Sequence, residues 1–381
     1  MGSKKLIASY IFDWIIIIAF AAAGGALSLV KPHHRPFSLL NQEISFPYVE
    51  ETITTWMLVV IALVAPAAII TLITLILVPG AEVRRISTRS QVLRLKLWEL
   101  EKGLAGLALS LAVAFFVTQG MKNLFGKPRP NLLARCNPDL EDITAAYRGG
   151  YGQDLSVRWT LVDSSICNQD DDDLLQDGFR SFPSGHASWS WSGLLYLTLY
   201  ICSKFAIGLP HLPAVFTPQQ SHRRNSSQHE LLPLHHRDQA GGGASSSMEG
   251  KFESSDYENS HTPHDLTTTT TNPLAVRNAA AAPPNYLIIL ALFPVGVAIY
   301  ITSTRYAEFY HFGFDLLFGS FIGIATSWLA FRWYHLPISR GQGWAWGARS
   351  KDRSFAIGVG TGGYVGHEGW RSSKSGQGDV S

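Results

Sequence analysis

From Thr52 to Ala81 the chain carries no charged residue. A helix needs about 20 apolar residues to cross the hydrocarbon core of a bilayer. Five further stretches come close to that requirement: Leu6 to Val30, interrupted only by Asp13, then Gly103 to Met121, Ala187 to Ser203, Asn285 to Thr304 and Leu316 to Phe331. None has a polar face as wide as a surface helix carries. The expected fold is therefore all-α, a polytopic membrane bundle with six transmembrane helices. A signal peptide is the competing reading of the first run, with Lys4 and Lys5 ahead of it and Ala21 to Ala23 as the cleavage site. Asp13 and the length of the run disfavour it.

Composition fits this picture only if charge is unevenly spread. Of 381 residues, 16 % are charged and 46 % are hydrophobic, against about 25 % charged in soluble domains. Mean hydropathy is nevertheless only +0.09, so long charge-free runs must sit beside polar segments. A net charge of +2 argues against nucleic acid as a partner, which would demand a basic excess. Three cysteines are too few for a disulfide scaffold and form no CxxC metal site.

Lys and Arg in short loops set orientation. Arg84, Arg85, Arg89, Arg94, Lys96 and Lys102 lie between the second and third runs, and Arg332, Arg340, Arg349, Lys351 and Arg353 follow the sixth. In a six-span chain both groups share one side, expected to be cytosolic together with both termini. The loops at about 122–186 and 304–315 then share the luminal or extracellular face. Residues 210–284 are rich in Ser, Thr, His and Gln, with Thr267 to Thr271 as a homopolymer, and are expected to form a disordered cytosolic insert. The resulting layout is two spans and a basic loop over 1–100, a four-span core over 101–335, and a flexible tail over 336–381. Insert and tail could engage cytosolic regulators.

Three polar clusters meet on the outer face of that topology. Lys122 to Pro130 ends the third run, Pro183 to His186 precedes the fourth, and Arg305 to Asp315 joins the fifth to the sixth. Lys122, Arg129 and Arg305 are three cations able to surround one phosphate. Ser184 and Gly185 stand at a helix start, where free N–H groups and the helix dipole favour an anion. His311 and Asp315 are four apart, which on one helical face would let the carboxylate fix the imidazole tautomer and free the other nitrogen to attack. His186 is then available as the general acid for the leaving alkoxide. The chemistry that follows is two-step phosphoryl transfer through a phosphohistidine on His311, with His186 becoming the base for water.

The pattern K-x6-R-P, then P-S-G-H, then S-R-x5-H-x3-D resembles the type 2 phosphatidic acid phosphatase superfamily. Its membrane branch comprises the lipid phosphate phosphatases, and its soluble relatives include the vanadium haloperoxidases. Lys122, Arg129, Pro130, Pro183 to His186, Arg305, His311 and Asp315 all match, with Thr304 in place of the Ser before the arginine. The resemblance implies a six-span enzyme with a haloperoxidase-like core that dephosphorylates lipids in the bilayer without Mg²⁺ or any other cofactor. Phosphatidic acid, diacylglycerol pyrophosphate and lysophosphatidic acid are the implied substrates. Chain length and the Lys127-Pro-Arg-Pro context resemble the fungal diacylglycerol pyrophosphate phosphatase group. A polyprenyl or sphingoid phosphate phosphatase with the same site is one alternative, and a catalytically silent membrane scaffold or receptor is another.

Other features have blander readings. Asp170 to Asp173 reads as a solvated loop, and His33-His34 and His235-His236 as ordinary polar pairs. Arg84-Arg85-Ile86-Ser87 resembles a basic-directed kinase site. Cys136 and Cys167 both fall in the outer loop, where oxidation is permitted, and could pair. Cys202, inside the fourth run, reads as a small buried hydrophobe.

Overall fold

The computed structural model describes residues 2–156, 159–208, 281–339, 343–349 and 354–355. All of them except Ala281 and Ala282 belong to one compact unit. The insert expected at 210–284 lies outside the described residues as far as position 280, and His235-His236 with it. Helices α1 (Gly2–Ser28), α2 (Thr55–Leu77), α3 (Ala81–Ile86), α4 (Arg89–Phe125), α5 (Leu132–Cys136), α6 (Asp172–Gly178), α7 (Gly185–Lys204), α8 (Asn285–Ala307) and α9 (Gly313–Tyr334) follow one another along the chain.

Among the described residues five helices are long and apolar enough to cross a membrane: α1 from Lys4, α2, α4, α8 and α9. Their outer faces present Ile11, Ile15, Leu72, Phe293, Leu317 and Phe321 openly, a surface suited to lipid rather than water. The fourth expected span is also a helix, α7, but falls outside that apolar group. It packs against α4, α8 and α9, and Ser188, Ser190, Ser192 and Ser203 are among its buried residues. A helix surrounded by other helices can be less apolar because its polar side chains are satisfied across the interfaces. Ser192 Oγ pairs with Ser110 Oγ at 2.6 Å, Thr118 donates to Ser188 at 2.9 Å, and Thr198 donates to the Ala291 carbonyl at 2.9 Å. Close approach is enforced by glycine. A Cβ on Gly319 would lie 2.6 Å from the Ser184 carbonyl oxygen and one on Gly323 2.5 Å from that of Ser188.

The basic stretch expected as a loop ahead of the third span is instead largely helical. Thr88 and Gln91 form a reciprocal cap, which starts α4 early and carries Arg89, Arg94, Lys96 and Lys102 on its first turns. At this end of the bundle residues 343–349, expected as flexible tail, are docked. Arg349 pairs with Asp13 at 2.8 Å, the Ala345 N–H donates to Glu99 at 2.9 Å, and Lys204 pairs with Glu99. Carboxylates within apolar helices need such partners.

The other end carries a cap formed by residues 30–54, 126–156 and 159–184. Phe37, Leu132, Cys136, Val162, Ile166 and Phe179 form its core. A two-stranded antiparallel ribbon joins β1 (Tyr147–Gly149) to β2 (Leu161–Val162), and Cys136 is bonded to Cys167 with Cα atoms 4.6 Å apart. His34 is a packing residue here, stacked on Phe179 and bonded to Ser164 and Gln176 at 2.7 Å each. Asp171 caps α6, and Asp172 pairs with Lys31 at 2.9 Å.

Candidate active site

All three polar clusters meet beneath this cap. Lys122 lies in the last turn of α4, which stops at Gly126 in the left-handed conformation (φ 53°). Its ammonium sits beside the start of α7: a Cβ on Gly185 would be 3.4 Å from Lys122 Nζ. Ser184 is the N-cap of α7, fully buried, its Oγ accepting the Ala187 N–H at 3.4 Å and leaving the hydroxyl proton to be donated elsewhere. The Ser184 N–H donates to the Asp315 carbonyl at 3.1 Å, tying the second cluster to the third.

Each guanidinium is met by carboxylate. Arg129 donates to the Asp177 carbonyl at 2.7 Å and to Asp177 Oδ1 at 2.6 Å, while Arg135 takes Asp177 Oδ2 at 3.1 Å. Burial alone would raise the Asp177 pKa, but Arg129, Arg135, Lys122 and Arg180 together hold it below the ordinary carboxylate value. Arg305, fully buried, pairs with Glu308 one turn on and with Glu51 at 3.1 Å. Among the described residues its Nε has no hydrogen-bond partner, and its Nη1 faces the Glu51 carboxylate without completing a hydrogen bond. One buried cationic donor is thus open to an acceptor, and a second is held only by an ion pair.

The histidines are held by main-chain oxygens, which fixes their tautomers because a carbonyl can only accept. His311 Nδ1 donates to the Ser181 carbonyl at 2.6 Å, leaving the Nε2 lone pair free. His186 Nε2 donates to the Ile53 carbonyl at 2.9 Å, leaving Nδ1 as its proton-exchanging atom. Burial, reinforced by Arg129 and Lys122, pushes the His311 pKa well below 6.5. His311 is therefore neutral at pH 7.

The expected carboxylate–imidazole bond between Asp315 and His311 is not how the structure connects them. Asp315 accepts from Lys127 Nζ at 2.7 Å, from Ser181 Oγ at 2.5 Å and from the Phe312 N–H at 3.2 Å. A direct bond at this spacing needs a helix already begun at His311. The helix starts after Phe312, so Asp315 turns back to cap its own N-terminus. Ser181 bridges the two residues, its hydroxyl on Asp315 and its carbonyl on His311.

Ser181, Asp177, Glu308 and Glu51 are not singled out by sequence, and Lys127 only as part of a family context. Lys127 lies inside the first matched motif, and Ser181 stands two residues before the second. Glu308 stands three residues after Arg305, a spacing at which opposite charges meet on a helix. Asp177 and Glu51 carry no local signal.

A family model for the PAP2 superfamily matches residues 103–338, which contain Lys122, Arg129, His186, Arg305 and His311. The chain belongs to the PAP2 superfamily. As a PAP2 protein it is similar to lipid phosphate phosphatase 2 of Arabidopsis thaliana, 26 % identical over 199 residues, covering 52 % of this chain and 58 % of the relative. It is also similar to diacylglycerol pyrophosphate phosphatase 1 of Saccharomyces cerevisiae, 32 % identical over 184 residues, covering 48 % and 55 %. A Dictyostelium discoideum PA-phosphatase related-family protein is 29 % identical over 205 residues, covering 54 % and 55 %. The chain thus spans little more than half the length of these PAP2 relatives. No solved structure matches it significantly.

Proposed function

We propose that this PAP2 protein is a metal-independent lipid phosphate phosphatase acting on phosphatidic acid, diacylglycerol pyrophosphate or lysophosphatidic acid. The observation that carries the reading is buried Arg305, whose Nε lacks a hydrogen-bond partner and whose Nη1 faces only Glu51, in a site shared with Lys122, the start of α7 and a neutral His311. A phosphate dianion supplies the oxygens such donors lack, and buried unsatisfied donors are costly to leave unmade.

The reaction proceeds in two steps. His311 Nε2 attacks phosphorus while Lys122, Arg129 and Arg305 hold the phosphoryl oxygens, and the Ser184 hydroxyl with the backbone at Gly185 adds donors at the helix start. The lipid oxygen departs with its bonding electrons and takes the Nδ1 proton of His186, which enters the cycle as the imidazolium that a bound phosphate dianion favours. Water then gives its proton back to His186 and attacks the phosphohistidine, which releases inorganic phosphate and restores His311. Asp315 and Lys127 act on His311 through Ser181, as positioning residues.

In this reading α7 is also a span, the fourth of six in chain order. The site lies on the luminal or extracellular face, both termini are cytosolic, and the lipid stays in its leaflet while the headgroup reaches the cations. The core over 101–335 carries the chemistry, the 1–100 pair of spans supports it, and the insert and tail face cytosolic regulators. The test is phosphate release from a panel of lipid phosphates in detergent micelles with excess EDTA. Turnover of at least one glycerolipid phosphate is expected. Hydrolysis of none, or of polyprenyl or sphingoid phosphates alone, would overturn the assignment.

A further inference from the structure

Residues 46–54 form a strap across the site. The strap lies outside the stretch matched by the family model, yet it touches all three clusters. The Phe46 N–H donates to the Pro130 carbonyl at 3.0 Å, and the Phe46 ring stacks on Phe309 with centroids 4.6 Å apart. Tyr310 donates its hydroxyl proton to the Val49 carbonyl at 3.0 Å, and the Thr52 N–H donates to Glu308 at 2.9 Å. The Ile53 carbonyl holds His186.

Glu51 is the one strap residue whose side chain enters the charge balance of the site. Arg305 faces two carboxylates, although one neutralises it. Glu308 is the permanent partner: it lies on the adjacent turn, is itself nearly buried, and is fixed by the strap backbone. Glu51 is the removable one. Its side chain is 27 % exposed, and it lies 3.1 Å from Arg305 Nη1 without completing a hydrogen bond there. It also borders a cavity of about 240 Å³ lined by Tyr48, Arg135, Leu174 and Tyr310 and by the carboxylates of Asp171, Asp173 and Asp177. A displaced Glu51 carboxylate has room there, with Arg135 as the one cation in the lining.

We propose that Glu51 is a specificity-determining residue: a carboxylate that occupies Arg305 until a phosphate displaces it, and that penalises headgroups in proportion to their negative charge. The proposal rests on the phosphatase reading for its substrates. Any anion reaching Arg305 must replace Glu51 and then tolerate it nearby. A single phosphate suffers less from this than a pyrophosphate, whose second phosphoryl group adds charge beside the same carboxylate. The same competition weakens retention of the inorganic phosphate product.

The test uses the full chain in detergent, comparing the unaltered protein with Glu51→Gln, Glu51→Ala and, as a control on the neighbouring exposed carboxylate, Glu50→Gln. Binding of inorganic phosphate by titration calorimetry should tighten about fivefold in both Glu51 variants, the scale of a partly exposed charge interaction, and stay unchanged in Glu50→Gln. The ratio of kcat/KM for diacylglycerol pyrophosphate over phosphatidic acid should rise about threefold in Glu51→Gln. Phosphate binding no tighter in Glu51→Gln and Glu51→Ala than in the unaltered chain would overturn the proposal. An unchanged substrate ratio would overturn its specificity half. Phosphate binding that responds as expected in a chain hydrolysing neither lipid would instead contradict the phosphatase reading.

Discussion

The Ser181 carbonyl oxygen lies 2.6 Å from His311 Nδ1. This bond selects the tautomer that leaves His311 Nε2 able to attack, and the hydroxyl of the same serine is anchored by Asp315. Ser181→Ala keeps the carbonyl and loses the anchor. It should lower kcat about tenfold, the usual scale for a supporting hydrogen bond behind a reactive imidazole, with KM nearly unchanged. Steady-state kinetics on phosphatidic acid check this, and an equal fall in Asp315→Asn would show that the two act through one path.

Acid sensitivity follows from the charges around His311. Attack needs the unprotonated imidazole, whose pKa is pushed well below 6.5 by burial and by Arg129 and Lys122. The His311 fraction available for attack therefore stays high as pH falls through 6.5 and is lost only further down. The acid limb of kcat/KM should lie below pH 6.5. In Lys122→Met, with one of the depressing charges gone, the limb should move up in pH alongside the fall in overall rate. A limb that stays in place would separate it from His311.

The outer cap depends on its crosslink. Cys136 and Cys167 are 31 residues apart, and closing a loop of that size restricts the unfolded chain by about 3–4 kcal/mol. The Cys136→Ser/Cys167→Ser double variant should melt several degrees lower, and reduction of the unaltered protein should give the same shift by thermal denaturation.

Gly319 holds α9 against the start of α7. A methyl group there would meet the Ser184 carbonyl at 2.6 Å. Gly319→Ala should destabilise the protein by about 1–3 kcal/mol and reduce turnover by shifting the phosphate-binding turn. Gly296→Ala on α8, where a Cβ meets nothing within 4 Å, is the control and should leave activity intact.

Much of the candidate site is legible because the side chains proposed for its chemistry sit in short motifs at helix ends. Charge-free runs marked the helices, and their alternation brought Lys122, His186 and His311 to one end. The fourth charge-free run is the helix α7, whose buried setting lets serine replace leucine and leaves it less apolar than the other five. The departures have local causes. The His311–Asp315 spacing suits a helix, but the helix begins at Gly313, two residues past His311. Ser181 and Ile53 contribute backbone carbonyls to the histidines, and a carbonyl leaves no trace in residue identity. Glu51 lies about 250 positions from Arg305 in the chain, a pairing that only tertiary structure reveals.

The most direct test of the account is to trap the covalent intermediate. Full-length protein mixed with phosphatidic acid labelled with ³²P in its phosphate, quenched within the first turnover and digested, should yield an acid-labile, base-stable label on the peptide containing His311. The label should build up in His186→Ala if leaving-group departure still proceeds, and be absent from His311→Ala. Active protein that carries no label at His311, or a His311→Ala variant that keeps near-normal turnover, would contradict the nucleophilic role on which the mechanism stands.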